Sequence, residues 1–240
     1  MRFVELAKRN FKEMYRDPLS LGLAIGLPVG LLLILQTLSR FGSTWTPTYL
    51  APGMVIFGFA MLTFSSGMIL ARDRESALLS RLLTAPLRAN DFISAYSLPY
   101  IPVAIIQIVV LFAIGGLLGL EISGNAGLVF LVLFVMSVGY IGLGMILGSL
   151  FTSTQVPIVW ISVNLLTIFG GAWFPLEEIG GVIQSTMNAL PFAHALYAAR
   201  DVMVQGVGFS DVAIDLYWVL GYTLAFFALG VFLFRRRMVE

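Results

Sequence analysis

The sequence predicts an all-α integral membrane protein with six transmembrane helices and both termini in the cytoplasm. Of its 240 residues, 59% are hydrophobic and only 11% are charged, whereas a soluble domain is about one quarter charged. Six segments are apolar enough to cross a bilayer, which takes about 20 residues each. The basic residues cluster in every second connection between these segments, which indicates a multi-pass topology.

The six predicted spans follow from hydropathy and from the position of helix-breaking residues. They are residues 19–38, 50–70, 93–120, 126–150, 156–174 and 216–234. The third span is long, and Pro99 and Pro102 near its start predict either a kink or the true start of the helix.

The orientation is predicted by the lysines and arginines. Of the 14 in the chain, twelve lie before the first span, between the second and third, or after the sixth, and only Arg40 and Arg200 lie in the other connections. Short loops rich in Lys and Arg stay cytoplasmic. Both termini are therefore expected inside, which requires an even number of spans and favours six independently of hydropathy.

Residues 1–17 are predicted to form an amphipathic helix. Apolar side chains fall near helical spacing, while most of the basic ones fall on the other face. A basic amphipathic helix directly before a span is expected to lie in the cytoplasmic interface and to anchor it.

Residues 72–90 are predicted to form a second amphipathic helix, between the second and third spans. A mixed-charge start is followed by a leucine stripe, and Pro86 ends the helix. Two interpretations are open. The segment is another interfacial helix, or it is a docking surface for a cytoplasmic partner, with leucines as anchors and charges setting the register.

Residues 175–204 are predicted to form two short helices on the outer side, broken near residues 188–191. The segment is too polar to cross a bilayer, yet each half carries an apolar stripe. Polar backbone at membrane depth must be buried in protein or line a wet cavity. We therefore expect this segment to cap the molecule at or within the outer leaflet.

The order of these elements resembles a permease subunit of a type-2 ABC exporter, along essentially the whole chain. "RDRESALLSRLLTAPLRANDF" resembles the coupling region of that family, which ends here in Thr84, Ala85, Pro86 and Leu87. "FPLEEIGGVIQSTMNALPFAHALYAARDVMVQG" resembles its C-terminal signature. The matching positions are Pro175, Glu177 or Glu178, Ile183, Leu190, Pro191 and Arg200.

The resemblance implies a single permease domain over residues 1–240 that is not itself an enzyme. No GxxxxGK[ST] phosphate loop is present. ATP and Mg would therefore be bound by a separate P-loop ATPase, expected in two copies, and this chain needs no cofactor of its own. The resemblance also implies a second permease chain, most simply a homodimer, in a plasma or inner membrane, and no nucleic-acid partner.

Three sets of site residues follow from the residue types together with the resemblance. The expected ATPase contacts are Arg74, Glu75, Leu79, Arg81 and Leu82. The expected substrate path, on spans two and five, uses Phe57, Met61, Phe64, Ser65, Asn164 and Thr167, although such residues also serve ordinary helix packing. The expected outer gate comprises Pro175, Glu177, Glu178, Pro191 and Arg200.

Other chemistries fit the sequence less well. His194 is the single histidine and cysteine is absent, so a metal site lacks ligands and a structural histidine is expected. Glu177 and Glu178 are adjacent, so they point apart on a helix and are expected at its positive N-terminus. The predicted spans hold no charged residue, which argues against a proton- or sodium-coupled transporter, an ion channel and an intramembrane metalloprotease.

Glycines four residues apart predict close helix approaches. They occur as Gly22, Gly26 and Gly30, as Gly115 and Gly119, and as Gly144 and Gly148.

The expected function is export of a hydrophobic or amphipathic molecule, such as a drug, an antibiotic or a lipid-like compound. A polysaccharide or glycolipid exporter is the alternative within the class. A non-transporting membrane scaffold is the alternative outside it, and it would not need a coupling helix.

Overall fold

The computed structural model describes residues 2–76 and 89–238, and every regular element in these ranges is a helix. The α-helices in chain order are α1 (Arg2–Tyr15), α2 (Pro18–Leu35), α3 (Pro47–Glu75), α4 (Ala89–Ser97), α5 (Tyr100–Leu117), α6 (Ala126–Leu150), α7 (Val156–Thr167), α8 (Leu176–Ile179), α9 (Gly181–Met187), α10 (Pro191–Arg200) and α11 (Phe209–Met238). Tighter or wider turns extend α2, α7 and α10 over Gln36–Phe41, Ile168–Ala172 and Asp201–Gln205 respectively. The all-α prediction is confirmed for the described residues.

Five helical segments are long and apolar enough to cross a membrane. They are Pro18–Phe41, Pro47–Glu75, Asn90–Leu117, Ala126–Leu150 and Phe209–Arg237. The predicted fifth span corresponds to a shorter apolar helix, Val156–Ala172. It ends where Gly171 takes a positive φ of 100°, a conformation that suits glycine and turns the chain. The number of crossings therefore stays a prediction.

The predicted third span is two helices. The break lies at Leu98 and Pro99, between α4 and α5, because proline cannot supply the backbone N–H that an unbroken helix needs. The last span begins earlier than predicted, at Phe209, so that Asp211 and Asp215 are part of α11. Asp, Glu, Lys and Arg therefore occur near the ends of the long helices but not in their central turns.

Helix α3 is the centre of the bundle. In its most apolar stretch 83% of the residues are buried, compared with 17% for Pro18–Phe41 and 22% for Phe209–Arg237. It packs against α2, α5, α6 and α7. Helices α3 and α6 lie so close together that a methyl group on Gly144 would collide with the Ser66 hydroxyl. One on Gly148 would collide with the Gly67 carbonyl.

The three predicted groups of glycines have different surroundings in the structure. The Gly144 and Gly148 pair confirms a close approach, between α6 and α3 of one chain. The Gly22, Gly26 and Gly30 stripe of α2 has open space in front of it. Gly119 serves a turn instead, with φ at +88°.

Helix α1 and the C-terminal end of α11 lie at the same end of the bundle. Arg9 of α1 pairs with Asp73 near the end of α3. Arg237 of α11 donates to the Leu150 carbonyl at the end of α6, at 3.4 Å. We call this the basic end, since it also carries Arg72, Arg74 and Arg235–Arg237.

Part of the apolar face of α1 packs against the bundle. Leu6, Ala7 and Met14 of its predicted apolar face are buried, and α1 packs on α4. Phe11 and Tyr15 of the same predicted stripe are 45% and 72% exposed. One part of the apolar stripe therefore docks α1 on the bundle, and the other is left for the membrane.

Candidate functional site

Arg74 and Glu75, in the last turn of α3, hold the loop between α6 and α7. The Arg74 guanidinium donates to the Ser149 carbonyl and to the Phe151 carbonyl, the latter at 3.0 Å. These carbonyls belong to the C-terminal end of α6, where a cation is favoured. The Glu75 carboxylate accepts from the Ser153 backbone N–H at 2.9 Å and from its hydroxyl at 2.6 Å.

This arrangement gives Arg74 and Glu75 an intrachain role that the sequence did not indicate. Their contact with an ATPase stays a prediction. Leu79, Arg81 and Leu82, the other predicted contacts, lie outside the described residues. The undescribed segment 77–88 connects directly to the turn that Arg74 and Glu75 fasten to the α6–α7 loop.

A second polar cluster lies beside this turn and joins α1, α3 and α4. Asp73 is buried. Its carboxylate accepts hydrogen bonds from both terminal guanidinium nitrogens of Arg9, one of them at 2.8 Å. The Tyr96 hydroxyl donates to the same carboxylate at 2.6 Å. Asn10, also buried, donates to the Ala95 carbonyl at 3.2 Å. The Asp73 carboxylate raises the pKa of Arg9, mainly through the hydrogen bond.

Sequence reasoning missed this cluster because it ended the second span at residue 70. The helix continues to Glu75, and Asp73 then falls on the buried stripe of Ser66, Ile69 and Leu70 at helical spacing. Asp73 is a charged residue in register with a buried face, three residues beyond the predicted span, and this was the signal that could have indicated the cluster.

Two of the predicted path residues of α3 pack against tryptophans in or just after the α7 segment. Phe57 packs edge-on against Trp173, with ring centroids 5.4 Å apart, and Phe64 packs against Trp160 at 5.1 Å. Phe57 and Met61 are buried, whereas Phe64 and Ser65 are half-buried and line a cleft near the basic end. These side chains form one stripe along α3, as the spacing predicts.

The predicted path residues of α7 differ from each other. The Thr167 hydroxyl is buried, donates to the Val163 carbonyl at 2.8 Å and bonds the Tyr140 hydroxyl at 2.6 Å, which is a packing role. Asn164 is half-buried and donates to the Trp160 carbonyl of its own helix at 3.2 Å. Of these two predicted path residues, only Asn164 has a side chain near the open face of α7.

The segment after α7 re-enters the bundle. The turn between α9 and α10 reaches Tyr222, more than three helical turns into α11, whose hydroxyl donates to the Ala189 carbonyl at 2.6 Å. Phe192 of α10 packs against Tyr140, at the middle of α6, with centroids 5.5 Å apart. Helix α10 is buried along nearly its whole length. The predicted break near residues 188–191 is confirmed. The position of this cap at or within the outer leaflet stays a prediction.

The predicted gate residues occupy the ends of these short helices. Pro175 precedes α8, and Pro191 opens α10. Glu177 and Glu178 are exposed in the first turn of α8, as expected. The predicted first short helix is divided, because Gly180 adopts a φ of 64° between α8 and α9.

Arg200, at the end of α10, is 6% exposed and lies at the centre of this end of the molecule. Its guanidinium carbon is 3.8 Å from the centroid of the Tyr49 ring, a cation–π contact between α10 and α3. Its Nε donates to the Tyr49 carbonyl at 3.2 Å, and its Nη2 donates to the Ala172 carbonyl at 3.4 Å. Burial lowers the pKa of Arg200 to about 10. Arg200 thus ties α10 to the start of α3 and to the end of the α7 segment.

His194 clamps α10 to α11. Its Nδ1 is 2.5 Å from the Asp215 carboxylate, its Nε2 is 2.9 Å from the Asn188 carbonyl, and its ring stacks on Trp218 at 4.8 Å. The hydrogen bond to Asp215 raises the pKa of His194. No group of three or more His, Cys, Asp or Glu that could hold a metal ion occurs within residues 2–76 and 89–238. The structural role predicted for His194 agrees with this geometry.

Comparison with known proteins identifies a family for most of the chain. Residues 1–204 match the family model described as ABC-2 type transporter. The chain is 29% identical over 168 residues to "ABC transporter G family member 20" of Dictyostelium discoideum, covering 67% of this chain and 22% of that protein. It is 23% identical over 167 residues to "Probable multidrug ABC transporter permease YbhR" of Escherichia coli K12, covering 66% of this chain and 44% of that protein.

A third relative is matched along more of its length. The chain is 26% identical over 234 residues to "Putative transport permease ycf38" of Porphyra purpurea, covering 89% of this chain and 78% of that protein. The first two matches span less than half of those relatives. The extent of the family match, together with the long apolar helices, shows that this chain is a multi-pass membrane subunit belonging to the ABC-2 type transporter family.

Proposed function

We propose that the chain is the transmembrane permease of an ATP-driven exporter whose ATPase is a separate subunit. Two permease chains and two ATPase copies would form the complete transporter. The basic end would face the cytoplasm, because clusters of Lys and Arg stay on that side. Val156–Ala172 would then be the fifth of six crossings, with the chain returning through the re-entrant α9–α10 segment.

The observation that carries this proposal is the way α3 ends. Helix α3 runs unbroken from the far end of the bundle to Glu75, and its last turn is bonded to the α6–α7 loop through Arg74 and Glu75. A force applied to segment 77–88 would therefore reach α3 and α7 together. This is what a coupling segment must do, and a passive scaffold has no need for it.

The pathway would form beside α7. Ile158, Ile161, Leu165 and Phe169 make an exposed apolar stripe at helical spacing on this helix. A second permease chain packed on that stripe would enclose the seam between α3 and α7. Phe57 and Met61 are buried within one chain, so a cargo would reach them only when the helices packed on α3 move.

The cargo class follows from the chemistry of this seam. Its side chains are aromatic, aliphatic and thioether groups, with isolated polar groups such as Ser65 and Asn164. Adaptable apolar surfaces of this kind suit hydrophobic or amphipathic molecules of varied shape. The name of the E. coli relative, a probable multidrug permease, supports the same class.

Co-purification tests the proposal. The tagged chain is extracted from its native membrane in mild detergent, and bound proteins are identified by mass spectrometry. We expect a stoichiometric P-loop ATPase that is lost from Leu79→Asp/Leu82→Asp and retained by Leu79→Met/Leu82→Met, which keeps the apolar surface. Absence of any ATPase from the unaltered chain in several detergents would contradict the proposal and favour a scaffold.

A further inference from the structure

A cleft at the basic end is not accounted for by the proposed transport pathway alone. It lies where α1 meets α2, against α3 and α5, and has a volume of about 400 Å³. We call it the α1–α3 cleft and define it by Met14, Arg16, Leu21, Met68, Arg72 and Tyr100, which are among its lining residues. Phe64 and Ser65 form part of its wall.

The rim of the α1–α3 cleft has two acidic and two basic side chains, which differ in their hydrogen bonds. Glu13 pairs with Arg9 at 2.7 Å. Asp17 caps α2 by accepting from the Ser20 hydroxyl at 2.6 Å and from its backbone N–H at 3.2 Å. Within the described part of the chain, the guanidinium groups of Arg16 and Arg72 form no hydrogen bond or ion pair. The Ser20 hydrogen bond and, to a smaller extent, the charge of Arg72 lower the pKa of Asp17. The N–H groups of Arg16 and Arg72 nevertheless remain free to donate to a ligand.

The interior of the cleft is apolar and has one unsatisfied polar atom. Leu62, Met68 and Ile69 are 1%, 9% and 8% exposed. Tyr100 is 1% exposed, and its buried hydroxyl has no hydrogen-bond partner among residues 2–76 and 89–238. Leaving such a group without a partner is unfavourable. The wall of the cleft therefore contains one donor that nothing in the described part of the chain satisfies.

The side of the cleft formed by α2 continues into a surface suited to lipid. Leu19, in the first turn of α2, is 73% exposed, and Leu23 one turn later is 43% exposed. The cleft thus combines a cationic rim, an apolar wall and an exposed aliphatic flank. A small free anion would need only the rim.

We propose that the α1–α3 cleft binds a membrane phospholipid, with its phosphate on Arg16 and Arg72 and an acyl chain along Leu21 and Met68. Cationic pockets between transmembrane helices are a recurring way to hold lipid head groups. A phospholipid phosphate fits, because Arg16 and Arg72 have free donors while Glu13 and Asp17 already accept hydrogen bonds or ion pairs. The bound lipid would bridge the α1–α2 junction to the end of α3. This site does not depend on the proposed ATPase partner.

Native mass spectrometry of the purified, delipidated chain tests the site. Phosphatidylglycerol is titrated against the unaltered protein and Arg16→Gln/Arg72→Gln, and we expect at least tenfold weaker binding by the variant. Lys8→Gln/Lys12→Gln is the matched control, since it removes two exposed charges from α1 outside the cleft. Equal weakening in both double variants would overturn the site in favour of general surface charge.

A second variant tests the apolar part without changing charge. Ser65→Phe fills the cleft while both arginines remain, and we expect a similar loss of phosphatidylglycerol binding. Retained binding would show that the lipid sits only on the rim and would overturn the cleft. Inorganic phosphate is the other arm: if it binds through Arg16 and Arg72 and the lipid does not, the ligand is a free anion and the lipid assignment is wrong.

Discussion

At the residue scale, the Arg9–Asp73 pair is the contact whose loss should cost most. Asp73 is nearly buried and accepts from both Arg9 and Tyr96, so removing Arg9 leaves a buried carboxylate short of its charged donor. We expect Arg9→Leu to lower the free energy of unfolding by about 1.5–3 kcal/mol, the range for hydrogen bonds to charged groups. Denaturant unfolding in mixed micelles measures it.

Lys8→Gln is the control for that variant. Lys8 pairs with Glu5 on the exposed face of α1, with both side chains about 70% exposed, and exposed pairs contribute about 0–1 kcal/mol. If both variants lose the same stability, the network around Asp73 does not hold α1.

The single histidine gives a pH prediction that NMR can measure without assignment work. Both partners of the His194 ring are acceptors, the Asp215 carboxylate and the Asn188 carbonyl, so the doubly protonated ring satisfies both. The raised pKa means that the clamp stabilises the fold fully below the unfolded value of about 6.5. That stability is lost as pH rises through the folded pKa.

We therefore expect a His194 pKa above 6.5 that falls in Asp215→Asn, and a melting temperature that decreases as pH rises through the folded value. His194→Gln should flatten this dependence. Asp215, Tyr197 and the nearby Asp201 are the other ionisable groups around the ring. A histidine pKa at or below 6.5 would mean that the clamp is absent in the folded protein.

At the element scale, the close packing of α3 on α6 gives a paired prediction. Gly144→Val places a branched side chain against the Ser66 hydroxyl and the Thr63 carbonyl. Overpacking of this kind costs about 1–3 kcal/mol. Gly26→Val on α2 has open space around it, so its unfolding free energy should change far less. Similar losses in both variants would argue that α3 and α6 are not in this contact.

The elements also show what sequence patterns do and do not determine. Hydropathy located every long apolar helix, because burial in lipid requires an unbroken run of apolar residues. The ends were less certain. Helix α3 continues through Arg72–Glu75, since charged residues at the last turns of a helix are compatible with both helix geometry and an interface. The turn at Gly171 shortens α7, and a glycine alone does not reveal its φ.

The same distinction applies to the sites. The positions of Pro175, Glu177, Glu178 and Pro191 at helix starts could be predicted, because they depend on local chemistry. The cation–π contact of Arg200 with Tyr49 and the Asp73 network could not. They join residues 151 and 64 positions apart, and such pairings depend on how helices rotate and pack. The path residues of α3 share one stripe, but the burial of Phe57 and Met61 depends on tertiary packing.

At the scale of the whole molecule, helix α3 makes polar contacts at both ends of the bundle. The basic end fastens α3 to the α6–α7 loop, and the far end fastens α3 to α10 and to the end of the α7 segment through Arg200. Contacts with α3 therefore hold both the α6–α7 loop at one end and the re-entrant segment at the other. In the function proposed above, these contacts would carry the action of a separate ATPase from one end of the permease to the other.

The most direct test of that claim is a distance measured between two copies in the assembled complex. The chain has no cysteine, so Val182→Cys, whose native side chain is 83% exposed on α9, places one spin label at the far end of each permease. Double electron–electron resonance is recorded without nucleotide and with trapped Mg-ATP. We expect a distance distribution that shifts on trapping, and no shift in Leu79→Asp/Leu82→Asp. A distribution that is identical in both nucleotide states, or the absence of any distance between copies, would contradict an ATP-driven dimer.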